Sequence, residues 1–377
     1  MNFLSNLPYI GAALLGLLFM VTVHEFGHYL AGKALGFKIN EFAVGFGPKL
    51  LWRRRKNGEI FSLRAIPLGG FCAFEDEDEE AASPDSFNAK PPWKRIIVLL
   101  SGVTMNFLAS MLIVILVFAF TGMTFPRVTH VLPDSNQAQT SADSSLMLQE
   151  GDIILEANGR FLYAYLNGDM TKALSGLPEG RVVTLKVLRG GSVVETEVVM
   201  RNSAVPVRGE DGKIIYNEDG SPQVKLDEHY LGLGILNEPV NQKLPFFEML
   251  WRGVVYTFYL GFMILEMLGR LITSTLGLEA VGGPITTIGA ISEVARHGLR
   301  EFMVVIALVG VNFAVFNLLP IPALDGSRVV FTAIEWVRGK PVSRRIEGTL
   351  HLVGLLLLFG LIIVADVYQQ LIIPRLQ

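Results

Sequence analysis

The sequence predicts a polytopic α-helical membrane protein that carries one small β-rich domain outside the bilayer. Three observations predict it. Hydrophobic residues make up 51% of the 377 positions and charged residues only 18%, short of the roughly 25% charged residues that a soluble domain carries. The apolar residues cluster in runs close to the ~20 residues needed to cross a bilayer. One interior stretch, from about 127 to 245, instead alternates polar and β-branched residues between turn signals. With a mean hydropathy of +0.44, these features exclude a wholly soluble enzyme, a disordered chain and a disulfide scaffold. A net charge of −3 gives no basic surface for nucleic acid. The single cysteine, Cys72, cannot close an internal disulfide.

Four spans are expected, over Leu7–Leu35, Ile96–Thr121, Phe302–Leu319 and Leu350–Tyr368. A fifth apolar stretch, Phe246–Leu276, is interrupted by Glu266 and Arg270 and reads as interfacial or re-entrant. Orientation follows from the basic residues, which are retained on the cytoplasmic side. Lys49, Arg53, Arg54, Arg55, Lys56, Arg64, Lys90, Lys94 and Arg95 lie between the first two spans, and Arg328, Arg338, Lys340, Arg344 and Arg345 lie between the last two. Both segments are expected to be cytoplasmic, which places both termini and the β-rich domain outside. Counting the fifth stretch as a full crossing would put the two basic segments on opposite sides.

The chain accordingly divides into a first span (1–40), a cytoplasmic β region with an acidic loop (41–93), a second span (94–122), an external β-rich domain (123–204), a connector (205–245), an interfacial segment (246–300), a third span (301–326), a cytoplasmic loop (327–349) and a fourth span (350–371). In the external domain, Asn158-Gly159 and Arg189-Gly190-Gly191-Ser192 supply turns between alternating strands, with a helix-compatible stretch near Leu166–Leu174. Lys56-Asn57-Gly58 predicts a hairpin turn between Phe42–Trp52 and Glu59–Ile66. Pattern alone fits that hairpin equally as an ordinary cytoplasmic element or as one dipping into the interface. The acidic run Glu75–Glu80 reads as a solvated loop.

Within the first span stands His24-Glu25-Phe26-Gly27-His28. Positions i and i+4 share a helix face, so both imidazoles can reach one zinc ion. Glu25 then lies close enough to serve as a general base. Two histidines and a glutamate at membrane depth are costly and mark a functional site rather than inert burial. Zinc hydrolases take a third protein ligand, and Asp325 is the candidate, directly after the third span in Asn317-Leu318-Leu319-Pro320-Ile321-Pro322-Ala323-Leu324-Asp325-Gly326. Pro320 and Pro322 unwind the chain there, and unwound backbone at membrane depth is tolerated where it lines a site. A capping aspartate in an ordinary loop is the alternative. His130, His229, His297 and His351 read as surface or interfacial residues.

With both motifs identified, the chain resembles the site-2 protease family of intramembrane zinc metalloproteases, in particular the bacterial branch that regulates sigma factors. The likeness rests on His24–His28, on Asn317–Gly326, and on Ala280-Val281-Gly282-Gly283-Pro284-Ile285 and Lys94-Arg95 with Asn106. It implies His24, His28 and Asp325 as ligands of Zn²⁺, Glu25 as catalytic base, and Asn317 near the substrate backbone. It also implies that the 42–74 hairpin region is membrane-associated and that the protein resides in a bacterial inner membrane. The external domain resembles a PDZ domain through Gln149-Glu150-Gly151-Asp152-Ile153-Ile154 and Asn158-Gly159. It lacks a clear Gly-rich carboxylate-binding loop, so a size filter or folding support is an equal reading. Ser327-Arg328 replaces the family's Gly-His and Gly102-Val103 its Gly-Pro, and neither departure is expected to touch a ligand.

The expected activity is hydrolysis of peptide bonds in or near transmembrane segments of single-span membrane proteins, such as an anti-sigma factor. Gly69, Gly70 and Phe71 are expected to hold an unwound substrate extended by edge-strand pairing. Two other functions share parts of this sequence: a membrane peptidase clearing remnant signal peptides, and a non-catalytic scaffold presenting the PDZ-like module. The lipid bilayer is a partner in every case. A transporter finds no support, since no inverted repeat is visible.

Overall fold

The structure is a computed structural model that describes residues 3–77, 83–131, 147–162, 169–174, 176–209, 213–217, 220–273 and 282–369. In chain order the elements are α1 (Phe3–Leu35), β1 (Ile39–Arg54), β2 (Ile60–Phe74), a short 3-10 turn (Phe87–Ala89), α2 (Pro92–Thr121), β3 (Met123–Val131), β4 (Ile153–Ala157), β5 (Arg160–Phe161), α3 (Asp169–Leu174), β6 (Val182–Arg189), β7 (Ser192–Val199), β8 (Arg201–Pro206), β9 (Val224–Gly232), β10 (Ile235–Gln242), α4 (Phe246–Ile272), α5 (Pro284–His297), α6 (Leu299–Leu318), α7 (Asp325–Arg338) and α8 (Arg344–Val367). They form two compact units, residues 1–117 with 253–377, and residues 118–252.

Among the described residues, five helices are long and apolar enough to cross a membrane: α1, α2, α4, α6 and α8. Four coincide with the expected spans. The fifth falls in the stretch read as interfacial or re-entrant, where Phe246–Ile272 is one unbroken helix. Glu266 and Arg270 do not break it, since they pair with each other at 2.5 Å one turn apart at its end.

In the first unit, small residues let the helices meet closely, which is how packing is gained where lipid competes for apolar surface. A Cβ on Gly27 would stand 2.8 Å from Met105 Cγ, and one on Gly310 would strike Met20 and Ser110. Asp366, buried in α8, accepts N–H groups of Ile285 and Thr286 at 3.2 and 3.1 Å and the Thr286 hydroxyl at 2.8 Å. This satisfies the open N-terminus of α5, and it explains the Gly282-Gly283-Pro284 run, since a Cβ on Gly283 would fall on that carboxylate.

The β1–β2 hairpin turns where expected, with Gly58 at φ 91°, but its strands are longer than expected and the ribbon curls. Residues 39–44 sit opposite 70–74 (Phe42 on Cys72, Ala43 on Phe71) and also opposite 60–63 (Phe42 on Phe61), while 49–54 pairs with 60–64. The result is a four-ribbon sheet in which 49–54 and 70–74 are the outer edges. Glu41 is held inside it by Ser62 at 2.5 Å, Arg64 at 2.8 Å and Lys49 at 2.9 Å. Burial alone would raise its carboxyl, and these partners outweigh that and hold it below the usual range.

Two expectations around this region are corrected. Glu75 and Glu77 are not simply solvated: they pair with Lys38 at 3.1 Å and Arg328 at 2.5 Å, which pins the loop to α7. The rest of the acidic run, residues 78–80, lies outside the described residues. The stretch 327–349, expected as a loop on its charge density, contains most of α7. Arg95 anchors that helix through a buried pair with Glu335 and donates to Lys90 O at 3.1 Å, and Lys94 donates to the end of α1 at Leu35 O, 3.3 Å.

The second unit is built on a sheet ordered β10-β3-β4-β6-β7, with β5 on β4. The stretch 205–245, read as a connector, supplies β9 and β10, and β10 pairs with β3. The core is Val128, Leu148, Ile154, Leu162, Val183, Leu185, Val187, Val198 and Met200. Both expected turns use left-handed residues, Asn158 and Gly159 at φ 50° and 72°, and Gly190 and Gly191 at φ 56° and 88°. Asp152 is buried and accepts Arg189 at 2.6 Å and the Gln149 N–H at 2.8 Å, so it holds the bend before β4. Of the expected helical stretch, 169–174 forms α3 and 166–168 lies outside the described residues.

Candidate metal centre

Three donor atoms from distant parts of the chain converge inside the first unit. His24 and His28 lie one turn apart on α1, and both are 7% exposed. Their Nε2 atoms are 3.1 Å apart, and Asp325 Oδ2 lies 2.9 Å from the first and 3.3 Å from the second. A tetrahedral zinc with bonds of about 2.0–2.2 Å separates its ligand atoms by roughly 3.3–3.5 Å. The triad therefore fits that ion with shifts of a few tenths of an ångström. The donor set, two imidazoles and one carboxylate, is that of a catalytic rather than a structural zinc site.

The chain places each donor by local means. His28 Nδ1 bonds Val98 O at 2.8 Å, which makes Nδ1 the protonated nitrogen and leaves Nε2 free as a ligand. His24 Nδ1 lies 3.5 Å from the Asn106 amide. Asn106 is fully buried and its Oδ1 has no partner as placed. Rotating that amide by half a turn exchanges two atoms of nearly equal size. It lets Oδ1 accept the His24 Nδ1–H and satisfies both groups. Asp325 opens α7, where the helix dipole favours an ionised carboxylate. The turn before it is tight: Ala323 sits at φ 78°, its N–H is taken by His351 Nδ1 at 2.9 Å, and Ile321 N–H bonds Leu319 O at 2.7 Å. Glu25, next to His24 on α1, accepts the Cys72 N–H at 3.0 Å.

Comparison with known proteins matches residues 12–361 to Peptidase family M50. This chain belongs to that family. A protein of Clostridium perfringens that carries the name zinc metalloprotease is 30% identical over 98% of this chain and 100% of its own length. One of Rhizobium meliloti with the same designation is 28% identical, with 97% and 96% covered. The Regulator of sigma E protease of Haemophilus influenzae is 25% identical, with 97% and 98% covered. The protein is thus a zinc metalloprotease of the membrane, of the site-2 type.

As an M50 peptidase, the chain brings together four of its expected site residues: His24, His28, Asp325 and Glu25. Asn317 is half-buried in the last turn of α6. Gly69, at φ 100°, leaves the space where a Cβ would meet the Phe46 ring, and Phe71 stacks on that ring with the centroids 6.4 Å apart. Only Gly70 of this trio reaches the centre, since a Cβ there would lie 3.6 Å from Glu25 Cγ.

One expectation is overturned. Gly102 does lie against the two histidines: a Cβ there would stand 2.5 Å from His28 Nε2 and 2.8 Å from His24 Nε2. The departure at Val103 leaves this contact intact. Two supporting residues escape a reading of the sequence. His351 reads as an interfacial histidine because its partner, the Ala323 N–H, lies 28 positions away. Asn106 is visible in the sequence as a polar residue within a span, but nothing there connects it to His24. Replacing Asn106 with alanine is expected to weaken zinc binding about 10–100-fold, read by chelator competition, with the helical content unchanged.

Proposed function

We propose that this M50 peptidase cuts membrane-embedded segments of single-span proteins at a zinc centre held by His24, His28 and Asp325. The observation that carries the reading is the convergence of donor atoms of both histidines and Asp325 on one point, with Glu25 next to His24 on the same helix. Bound zinc supplies Lewis-acid polarisation of a peptide carbonyl and eases deprotonation of water. Glu25 takes the proton from the attacking water and delivers it to the leaving amide nitrogen. Asn317 is assigned to the substrate backbone.

A transmembrane helix must unwind before its peptide bonds are accessible. The outer ribbon 70–74 supports a role in receiving it, because it has 39–44 on one side and Glu25 beside it. An extended substrate can add to such an edge through main-chain hydrogen bonds. The two basic segments share the cytoplasmic side if the stretch holding α4 and α5 returns to the side it left, which fits the meeting of Asp325 with α1. The antiparallel unit 118–252 is then external, and we assign it a PDZ-like role in filtering or supporting substrates. The Haemophilus relative is named a regulator of sigma E, and we assign this chain a substrate in sigma-factor control, such as an anti-sigma factor.

Glu25→Gln keeps the size and the ligands and removes the base. Cells carrying it are expected to accumulate uncut single-span membrane proteins, read by mass spectrometry of membrane fractions, while the purified variant keeps equimolar zinc. Wild-type turnover in this variant would remove Glu25 from the mechanism and favour a scaffold.

A further inference from the structure

The strand Gly70–Cys72 does more than border the centre: it forms a seat for the base. The Cys72 N–H donates to Glu25 Oε2 at 3.0 Å. In the register of the curled sheet, Phe71 opposes Ala43 and Ala73 opposes Glu41. In an antiparallel ladder the main-chain groups of successive residues alternate in direction. Cys72 stands opposite Phe42 in the same register, and its N–H is given to the Glu25 side chain, which marks it as the outward group of this edge. Gly70, two residues earlier, brings bare Cα under the stem of the same side chain, with a hypothetical Cβ 3.6 Å from Glu25 Cγ and 2.8 Å from Ala43 O. The Cys72 side chain takes no part, being buried with Tyr29, Phe37, Phe42 and Phe74 in an apolar cluster.

We propose that the Cys72 backbone amide is a positioning group for the general base, fixing one Glu25 oxygen so that the other faces the reacting water. A glutamate has three rotatable side-chain bonds, and a carboxylate held by a directed N–H loses much of that freedom before substrate arrives. The same edge that we assign to the substrate thus holds the base, so hairpin position and proton transfer are mechanically linked. The proposal rests on Glu25 acting as base, and the experiment separates the two.

Proline at position 72 deletes the N–H without costing a ladder bond, since at a sheet edge proline is tolerated where the N–H faces outward. In full-length enzyme in detergent, with a single-span substrate, Cys72→Pro is expected to lower kcat about 10–100-fold. KM stays at its wild-type value, because the Cys72 N–H is engaged by Glu25 and is not offered to substrate, and zinc content is unchanged. Cys72→Ala, which keeps the amide, is expected to restore kcat. If Cys72→Pro loses zinc or fails to fold, Gly70→Ala decides, because it presses on Ala43 O and displaces the seat from Glu25 while every N–H remains. It is expected to lower kcat at unchanged zinc content. Glu25→Gln is measured alongside. A dead Glu25→Gln with wild-type kcat in Cys72→Pro, or in Gly70→Ala where that variant decides, overturns the seat and leaves the base assignment standing. An active Glu25→Gln overturns both.

Discussion

Replacing Gly102 with alanine is expected to strip zinc from the purified enzyme and abolish cleavage. The added methyl would stand 2.5 Å from His28 Nε2 and 2.7 and 2.8 Å from Cε1 and Nε2 of His24, inside any tolerable contact. Neither ring can step aside, because Val98 O holds His28 at 2.8 Å and Asn106 lies against His24. Retreat of helix α2 would give up the close packing of Gly27 of α1 on the Ser101 carbonyl. The methyl occupies the side of the rings where the donor atoms converge, so the metal is displaced rather than merely loosened. We expect zinc affinity to fall ~100-fold or more, beyond the usual cost of a supporting residue. Zinc analysis after dialysis against a chelator reads it directly, and near-normal zinc with near-normal turnover would mean that α2 yields.

Gly326→Ala is expected to lower kcat/KM about 100-fold through misplacement of the neighbouring ligand. A Cβ at 326 would collide with the carbonyl oxygens of both Leu318 and Leu319, which are backbone and cannot rotate away. Relief requires the Pro320–Leu324 turn to move, and that turn carries Asp325. The turn is pinned by His351 at Ala323 and by Pro322 against Gly354, where a Cβ would again meet Pro322 O at 3.0 Å. Cleavage assays with zinc in excess distinguish this from simple loss of metal, because saturating zinc restores occupancy without restoring geometry.

The membrane helices were legible because hydropathy reports on length and solvent directly. The pairing of the two histidines was legible because helix periodicity alone brings positions 24 and 28 together. Asp325 was legible for a different reason: Pro320 and Pro322 announce unwound backbone where lipid forbids it without cause. What escaped was set by contacts across the chain. Gly102 looks like any small residue in a span until α1 is placed against it. His351 and Asn106 gain their roles from partners 28 and 82 positions away. The curl of the hairpin that brings Cys72 to Glu25 depends on irregular register, marked by repeated shifts between Ile39 and Leu51, and strand alternation carries no trace of it. That Phe246–Ile272 forms one continuous helix was not legible from charge counted without position, since its Glu266–Arg270 pair sits together at the helix end.

The zinc content of Asp325→Ala tests the centre most directly. The carboxylate supplies one of the three converging atoms, 2.9 and 3.3 Å from the histidine nitrogens, and alanine removes it without adding bulk. Purified in the same detergent and dialysed against the same chelator, the wild-type enzyme is expected to retain equimolar zinc and Asp325→Ala to retain almost none, with no cleavage. Equimolar zinc in Asp325→Ala under those conditions would contradict a His24–His28–Asp325 site.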